Sequence, residues 1–261
     1  MNALKGKILA ITRSEEESEE FSRLVKEEGG TPISLPTIQI IPKGRQVSRE
    51  LLVRLRTKKH DYCAFMSPHA VRVLFDMSDI EDVLGALRDT MVIAVGPKTR
   101  AALEGHGVKV GLMPEEFSSC GLVDMLSSMS PSSKKIIIPR SEAADKYVAS
   151  ALETLGMEVE EFFLYTIKPS EVSPVWQEFY SLLRRHKVAG VVFTSASSVD
   201  SFFRILGGIA QDRLVLDDLT SVISIGPLTS SALRGRSLEY HEARVHTVKG
   251  AFDLAIRFAD G

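Results

Sequence analysis

The feature that most restricts the fold of this chain is a repeat. Residues 190–203 read GVVFTSASSVDSFF and residues 62–75 read YCAFMSPHAVRVLF, so Phe193, Ser195, Val199 and Phe203 match Phe65, Ser67, Val71 and Phe75. In each copy an apolar run of buried-strand type gives way, at a hydroxyl residue, to helical spacing of apolar side chains. A second pair, MVIAVGPKTRAALEGHG at 91–107 and SVISIGPLTSSALRGRS at 221–237, ends its strand in Gly-Pro. Proline suits a first helical turn, where its missing N–H is no loss.

A third event also occurs twice. Residues 7–11 lead through Thr12, Arg13 and Ser14 to a helix carrying Phe21, Leu24 and Val25, then to a stop at Gly29-Gly30 and a strand over 31–35. Residues 135–138 lead through Pro139, Arg140 and Ser141 to a helix carrying Tyr147, Leu152 and Leu155, then to Gly156 and a strand ending at Leu164. Ser14 and Glu17 have the spacing of a capping box. Segments 36–42 (PTIQIIP) and 165–169 (YTIKP) stand at the same point of each repeat and read as extended connectors. A chain of 261 residues carrying such a repeat is expected to form two α/β domains, each with a parallel sheet.

Composition removes several function classes. The net charge is −2, and no basic run is interleaved with aromatics, so a nucleic-acid partner is not expected. The first apolar run, Ile8–Ile11, is too short for a signal-peptide core or a membrane span, and a cytoplasmic protein is expected. Cys63 lies in a strand pattern and Cys120 beside a helix start, which suits reduced thiols better than a disulfide framework. His60, His69, His106, His186, His241 and His246 have no metal-ligand spacing, and no metal is expected. No dinucleotide fingerprint, Walker lysine or Ser/His/Asp motif is present.

Parallel sheets bind ligands outside the carboxyl ends of their strands, and a helix N-terminus offers unpaired N–H groups and partial positive charge. Four turns carry such helix starts: Ser67, residues 96–99 with Thr99, Thr194-Ser195, and residues 226–229 with Thr229. If the two domains face each other across a cleft, these turns would converge on a multiply charged anion. Arg13 and Arg140, at matching turns, could add guanidinium forks. Hydroxyl residues at these places also serve as plain N-caps. Tyr165, where a strand meets a connector, is either a packing aromatic or a phenol facing ligand.

Taken in order, TR at 12–13, FMSPHAV at 65–71, VGPKTRAALEGHG at 95–107, Tyr165, FTSASSV at 193–199 and IGPLTSSAL at 225–233 resemble the uroporphyrinogen-III synthase family over nearly the whole chain. The resemblance implies one discontinuous domain from residues 1–36 and 168–261, a second from 41–164, and connectors at 36–42 and 165–169. It implies cofactor-free loss of water from linear hydroxymethylbilane, inversion of the last pyrrole ring through a spiro intermediate, and closure to uroporphyrinogen III. Tyr165 would then stand near the leaving hydroxyl, and Ser67, Thr99, Ser195 and Thr229 around the bound polycarboxylate, with Arg13, Arg140 and Thr194 as further contacts. The expected partner is a small-molecule polycarboxylate, bound by a monomer. Where the family often has a hydroxyl residue and an Asn, this chain has Met66 and His69. The alternative is a non-catalytic synthase-like pair of domains that binds a tetrapyrrole or another polyanion.

Overall fold

The computed structural model describes residues 3–14, 16–209 and 221–259. The chain starts with β1 (Ile8–Ile11), α1 (Glu19–Glu27) and β2 (Thr31–Ser34), then passes through β3 (Ile38–Pro42). There follow α2 (Arg45–Lys58), β4 (Tyr62–Phe65), α3 (Pro68–Asp76), α4 (Ile80–Leu87), β5 (Met91–Ala94), α5 (Pro97–Gly105), α6 (Ser119–Ser127), β6 (Lys135–Ser141), α7 (Tyr147–Thr154) and β7 (Glu158–Pro169). The last stretch supplies α8 (Pro174–Arg184), β8 (Val188–Phe193), α9 (Ala196–Ile209), β9 (Ser221–Ser224), α10 (Pro227–Arg234), β10 (His241–Glu242) and α11 (Val248–Ala259). Two compact units result: Met1–Gln39 with Pro169–Gly261, and Ile40–Lys168.

The first unit has a five-stranded sheet in the order β10-β9-β8-β1-β2, and its strand pairs are parallel. The second has the order β3-β7-β6-β4-β5, with β7-β6, β6-β4 and β4-β5 parallel. The mixed α/β fold with two mostly parallel sheets is therefore as expected. The units are permuted versions of one plan. In the first, β1 and β2 precede the Ser195 and Gly-Pro turns in the chain; in the second, the matching β6 and β7 follow them.

Each sheet is covered on both faces, so successive residues of one strand enter different cores. In β8, Val191 and Phe193 pack with Trp176, Phe179 and Phe202, whereas Val192 faces Phe21, Val25 and Phe252. In β4, Cys63 and Phe65 join Leu51, Val71 and Leu74, and Ala64 lies on the opposite face with Leu122 and Leu152. Burial pushes the Cys63 thiol far above its ordinary range, which keeps it protonated.

A further repeat pair becomes visible only in the fold. Ser118 and Thr247 cap α6 and α11 by accepting from the amides of Gly121 and Gly250. A Cβ on either glycine would lie 2.0 or 2.2 Å from the carbonyl oxygen of Glu116 or Val245, so only glycine lets those backbones approach. None of the described helices is long and apolar enough to cross a membrane.

Candidate functional site

In the first unit, the carboxyl ends of β1 and β8 are joined by hydroxyls. Thr12 Oγ1 donates to Ser198 Oγ at 2.9 Å and accepts from the Thr194 amide at 3.1 Å. Thr194 Oγ1 donates to the Thr12 carbonyl at 3.1 Å. Ser195 caps α9 by accepting from the Ser198 amide at 3.0 Å, and Ser198 Oγ accepts in turn from the Ser195 amide at 3.1 Å. Each of these hydroxyls has a partner within the turn, while Ser197 is exposed in the first turn of α9. Arg13 projects from the same edge, half-buried, with no ion-pair partner among the described residues.

The Gly-Pro turn of this unit is also braced from below. Ser224 Oγ donates to the Gly226 carbonyl at 2.8 Å and accepts from its amide at 3.2 Å, and Ser230 Oγ lies 2.9 Å from Ser224 Oγ and against the Glu242 carboxylate. Thr229 is buried in the first turn of α10. Gly226 has an ordinary extended φ of 175°, and the His246 ring lies 3.3 Å from where a Cβ would stand, so a larger residue there would push the ring outward by a few tenths of an ångström.

In the second unit, Ser67 caps α3, accepting from the Ala70 amide at 3.4 Å. Its Oγ is 3.2 Å from the Tyr165 hydroxyl. Tyr165 is only 4% exposed and belongs to the apolar core around Phe65 and Val71. Burial raises its pKa above the ordinary phenol value, against the opposing influence of the Ser67 hydrogen bond and the Arg140 charge. The phenol therefore keeps its proton throughout the neutral range. Thr99 is buried in α5 and donates to the Val95 carbonyl at 3.3 Å. Gly96 has φ 102°, a region that favours glycine, and its missing Cβ would stand 3.3 Å from Phe117.

Arg140 differs from the expected turn. Strand β6 continues through Pro139, Arg140 and Ser141 because it pairs along its whole length with the twelve-residue β7. The guanidinium is buried, and its Nη1 donates to Glu161 Oε1 at 2.7 Å. At the matching place in the first unit, β2 offers Ser34 rather than a carboxylate, and Arg13 has no ion-pair partner among the described residues. The expectation that the two arginines are equivalent forks is thus corrected: one is spent within its own sheet.

The sequence reasoning missed Thr12 and Ser198 as braces, Glu161 as the neutralising partner, and the rings of Phe117 and His246. It also gave no sign of the recess of about 780 Å³ beside Leu87, Met91, Val108 and Gly111. That recess stands beside Met91, at the amino end of β5. Among the described residues no group of three or more His, Cys, Asp or Glu is placed to hold a metal ion.

Comparison with known proteins follows the same lines as the geometry. A family model described as uroporphyrinogen-III synthase HemD matches residues 19–253. A protein of Methanothermobacter thermautotrophicus with a provisional uroporphyrinogen-III synthase name is 30% identical over 243 residues, 92% of this chain and 94% of its own. A Chlorobaculum parvum protein named uroporphyrinogen-III synthase is 24% identical over 229 residues, covering 87% of this chain and 88% of its own. In fold, the chain is similar to the uroporphyrinogen-III synthetase of Helicobacter pylori, with a TM-score of 0.64 at 14% identity, covering 96% of this chain and 99% of that one. A mutant uroporphyrinogen III synthase of Thermus thermophilus gives 0.56 at 18% identity, with the same coverage.

Proposed function

The chain belongs to the uroporphyrinogen-III synthase family, and from that premise we propose how its residues carry the reaction. The enzyme is a cofactor-independent lyase that converts linear hydroxymethylbilane to uroporphyrinogen III, with loss of water and inversion of the last ring. The observation that carries the residue assignment is the buried phenol of Tyr165 held 3.2 Å from the Ser67 hydroxyl at the start of α3. In our reading the Tyr165 hydroxyl donates to the oxygen leaving as water. Its proton is present at neutral pH because burial raises the pKa, so no further tuning is needed. Ser67 fixes the direction of that hydroxyl and takes part in holding the chain at the helix start.

The carboxylate arms of the substrate are matched to the helix starts at the carboxyl edges of the sheets. Arg13, Thr194 and Ser195 serve in the first unit, where Arg13 is the guanidinium free to form a two-point contact. Thr99, Thr229 and Arg140 act from behind that edge in our reading, because all three are buried. Most of the acceleration then comes from folding a flexible chain into one geometry, since ring inversion competes with direct closure. Under this reading the protein works as a cytoplasmic monomer on a small polycarboxylate, with no nucleic-acid or membrane partner. The test is incubation of purified protein with freshly made hydroxymethylbilane, followed by separation of the porphyrin isomers. Type III product is expected; type I alone would overturn the assignment.

A further inference from the structure

Each Gly-Pro turn has an aromatic residue against its glycine, through the Cβ and Cγ of Phe117 at Gly96 and through the imidazole of His246 at Gly226. The ring comes from the residue just before the cap of the next helix: Phe117, ahead of Ser118 and α6, lies against Gly96, and His246, ahead of Thr247 and α11, lies against Gly226. The two arrangements are equivalent by position in the repeat, yet the ring is apolar in one and nitrogen-bearing in the other. The residue after each proline is exchanged in the opposite sense. Lys98 follows Pro97 beside the Phe117 turn, and Leu228 follows Pro227 beside the His246 turn. All four side chains are exposed, Phe117 by 55% and Leu228 by 82%. Neither Phe117 nor Leu228 belongs to an apolar core cluster.

We propose that Lys98 with Phe117, and Leu228 with His246, are substrate-specificity pairs, each presenting one cationic or hydrogen-donating group and one apolar surface to a pyrrole ring with its carboxylate arms. This rests on the reading that the protein binds hydroxymethylbilane. The chemistry of the ligand is what selects the pairing. A pyrrole face is flat and apolar and gains from contact with Phe117 or Leu228, while its acidic arms take a hydrogen bond from the Lys98 ammonium or from an imidazole N–H, which neutral histidine also provides. Glycine at 96 and 226 lets Phe117 and His246 approach the turn two residues before Lys98 and Leu228. Exchange of the two roles between the turns keeps the composition of each contact while reversing its order along the chain.

The test is steady-state kinetics with freshly made hydroxymethylbilane on Lys98→Ala, Phe117→Ala, Leu228→Ala and His246→Ala. Each should raise KM by about 3- to 10-fold, with kcat within about twofold and the thermal midpoint unchanged, because one exposed contact is lost. The decisive variant copies one turn onto the other. Lys98→Leu alone should raise KM, and Lys98→Leu with Phe117→His should bring it back to within about twofold of the parent. Unchanged KM in all four single variants overturns the proposal, as does a double variant no better than Lys98→Leu. Absence of type III product from the unmodified protein would overturn the functional reading, and this proposal with it; isomer analysis before any substitution tells that failure apart.

Discussion

At the end of β1, the hydroxyl of Thr12 donates to Ser198 and receives the amide of Thr194; at the matching end of β6 the chain has Pro139, which can do neither. The first unit therefore ties its two central strands together at the carboxyl edge with neutral hydroxyls, and Arg13 is left to project. The second unit ties the same edge with charge and a phenol, Arg140 on Glu161 and Tyr165 beside Ser67. One edge leaves Arg13 without an ion-pair partner among the described residues, and the other carries a phenol beside a serine hydroxyl. Under the proposed reading, an anion-binding edge and a proton-donating edge are made from one repeat by changing which residue stands opposite each strand end.

The largest effect expected from this contrast is at the buried ion pair. Arg140→Met leaves the Glu161 carboxylate without its partner, and thermal or urea unfolding should show a loss of about 3–5 kcal/mol in the second unit. Arg13→Ala, at the matching position, should leave stability unchanged and raise KM for hydroxymethylbilane by roughly tenfold. If both arginines affect only stability, or both only KM, the contrast between the edges is wrong.

Next in size is the phenol. Tyr165→Phe keeps the packed ring and removes the donor, so type III formation should slow by roughly 10²-fold or more, with the type I isomer rising and the thermal midpoint nearly unchanged. A slowing of less than about tenfold would mean that Tyr165 only packs.

The braces of the first unit give a smaller, structural effect. Thr12→Val strands the Thr194 amide and leaves Ser198 Oγ without the hydroxyl that donates to it, and should cost about 1–3 kcal/mol. The matched substitution in the second unit, Pro139→Val, removes no hydrogen bond and should be milder. A Thr12→Val protein with unchanged stability would show that water replaces the brace.

The division between what could be read from the chain and what could not follows from the range of the interactions. Strand-to-helix turns at Ser67, Ser195, Gly96 and Gly226 were legible because each is written in a few consecutive residues, and the repeat doubled the signal. Arg140 was misplaced because its partner Glu161 is chosen by the register of β6 on β7, and register is a property of two strands. Thr12 and Ser198 are 186 residues apart and meet only when β1 pairs with β8. Phe117 and His246 left no repeat signal because the two residues differ; the shared spacing from Ser118 to Gly121 and from Thr247 to Gly250 was the trace that could have led to them.

The smallest effect is expected at the opposite, amino-terminal edge, where the two units differ again. His60 is buried with Nε2 on Glu160 at 3.2 Å, and Lys58 and Arg54 also reach that carboxylate. The matching positions of the first unit are Val188 and Ile33, which share one apolar core. Burial lowers the His60 pKa below its ordinary 6.5 in spite of the Glu160 hydrogen bond. Desolvation pushes Glu160 up, but the hydrogen bonds from Lys58, Arg54 and His60 outweigh it, and its pKa is lowered from 4.5. A histidine with a depressed pKa stabilises the fold fully above 6.5, and the contribution is lost as pH falls below that value toward the folded pKa. Glu160 loses its contribution at lower pH, below 4.5, so the two windows separate. The thermal midpoint of the second unit should therefore decline from pH 7 to pH 5 while that of the first stays level. Copying the apolar arrangement, His60→Val with Glu160→Ile, should abolish the decline at a small cost at pH 7, since the buried polar pair is replaced as a whole and only the half-exposed contacts of Arg54 and Lys58 are lost. Glu160→Ile alone leaves the imidazole without its acceptor and should be the less stable of the two. A second unit whose midpoint is flat from pH 7 to pH 5 would mean that His60 gains enough from Glu160 to hold its proton in the fold, and that the two edges differ in composition but not in how they respond to acid.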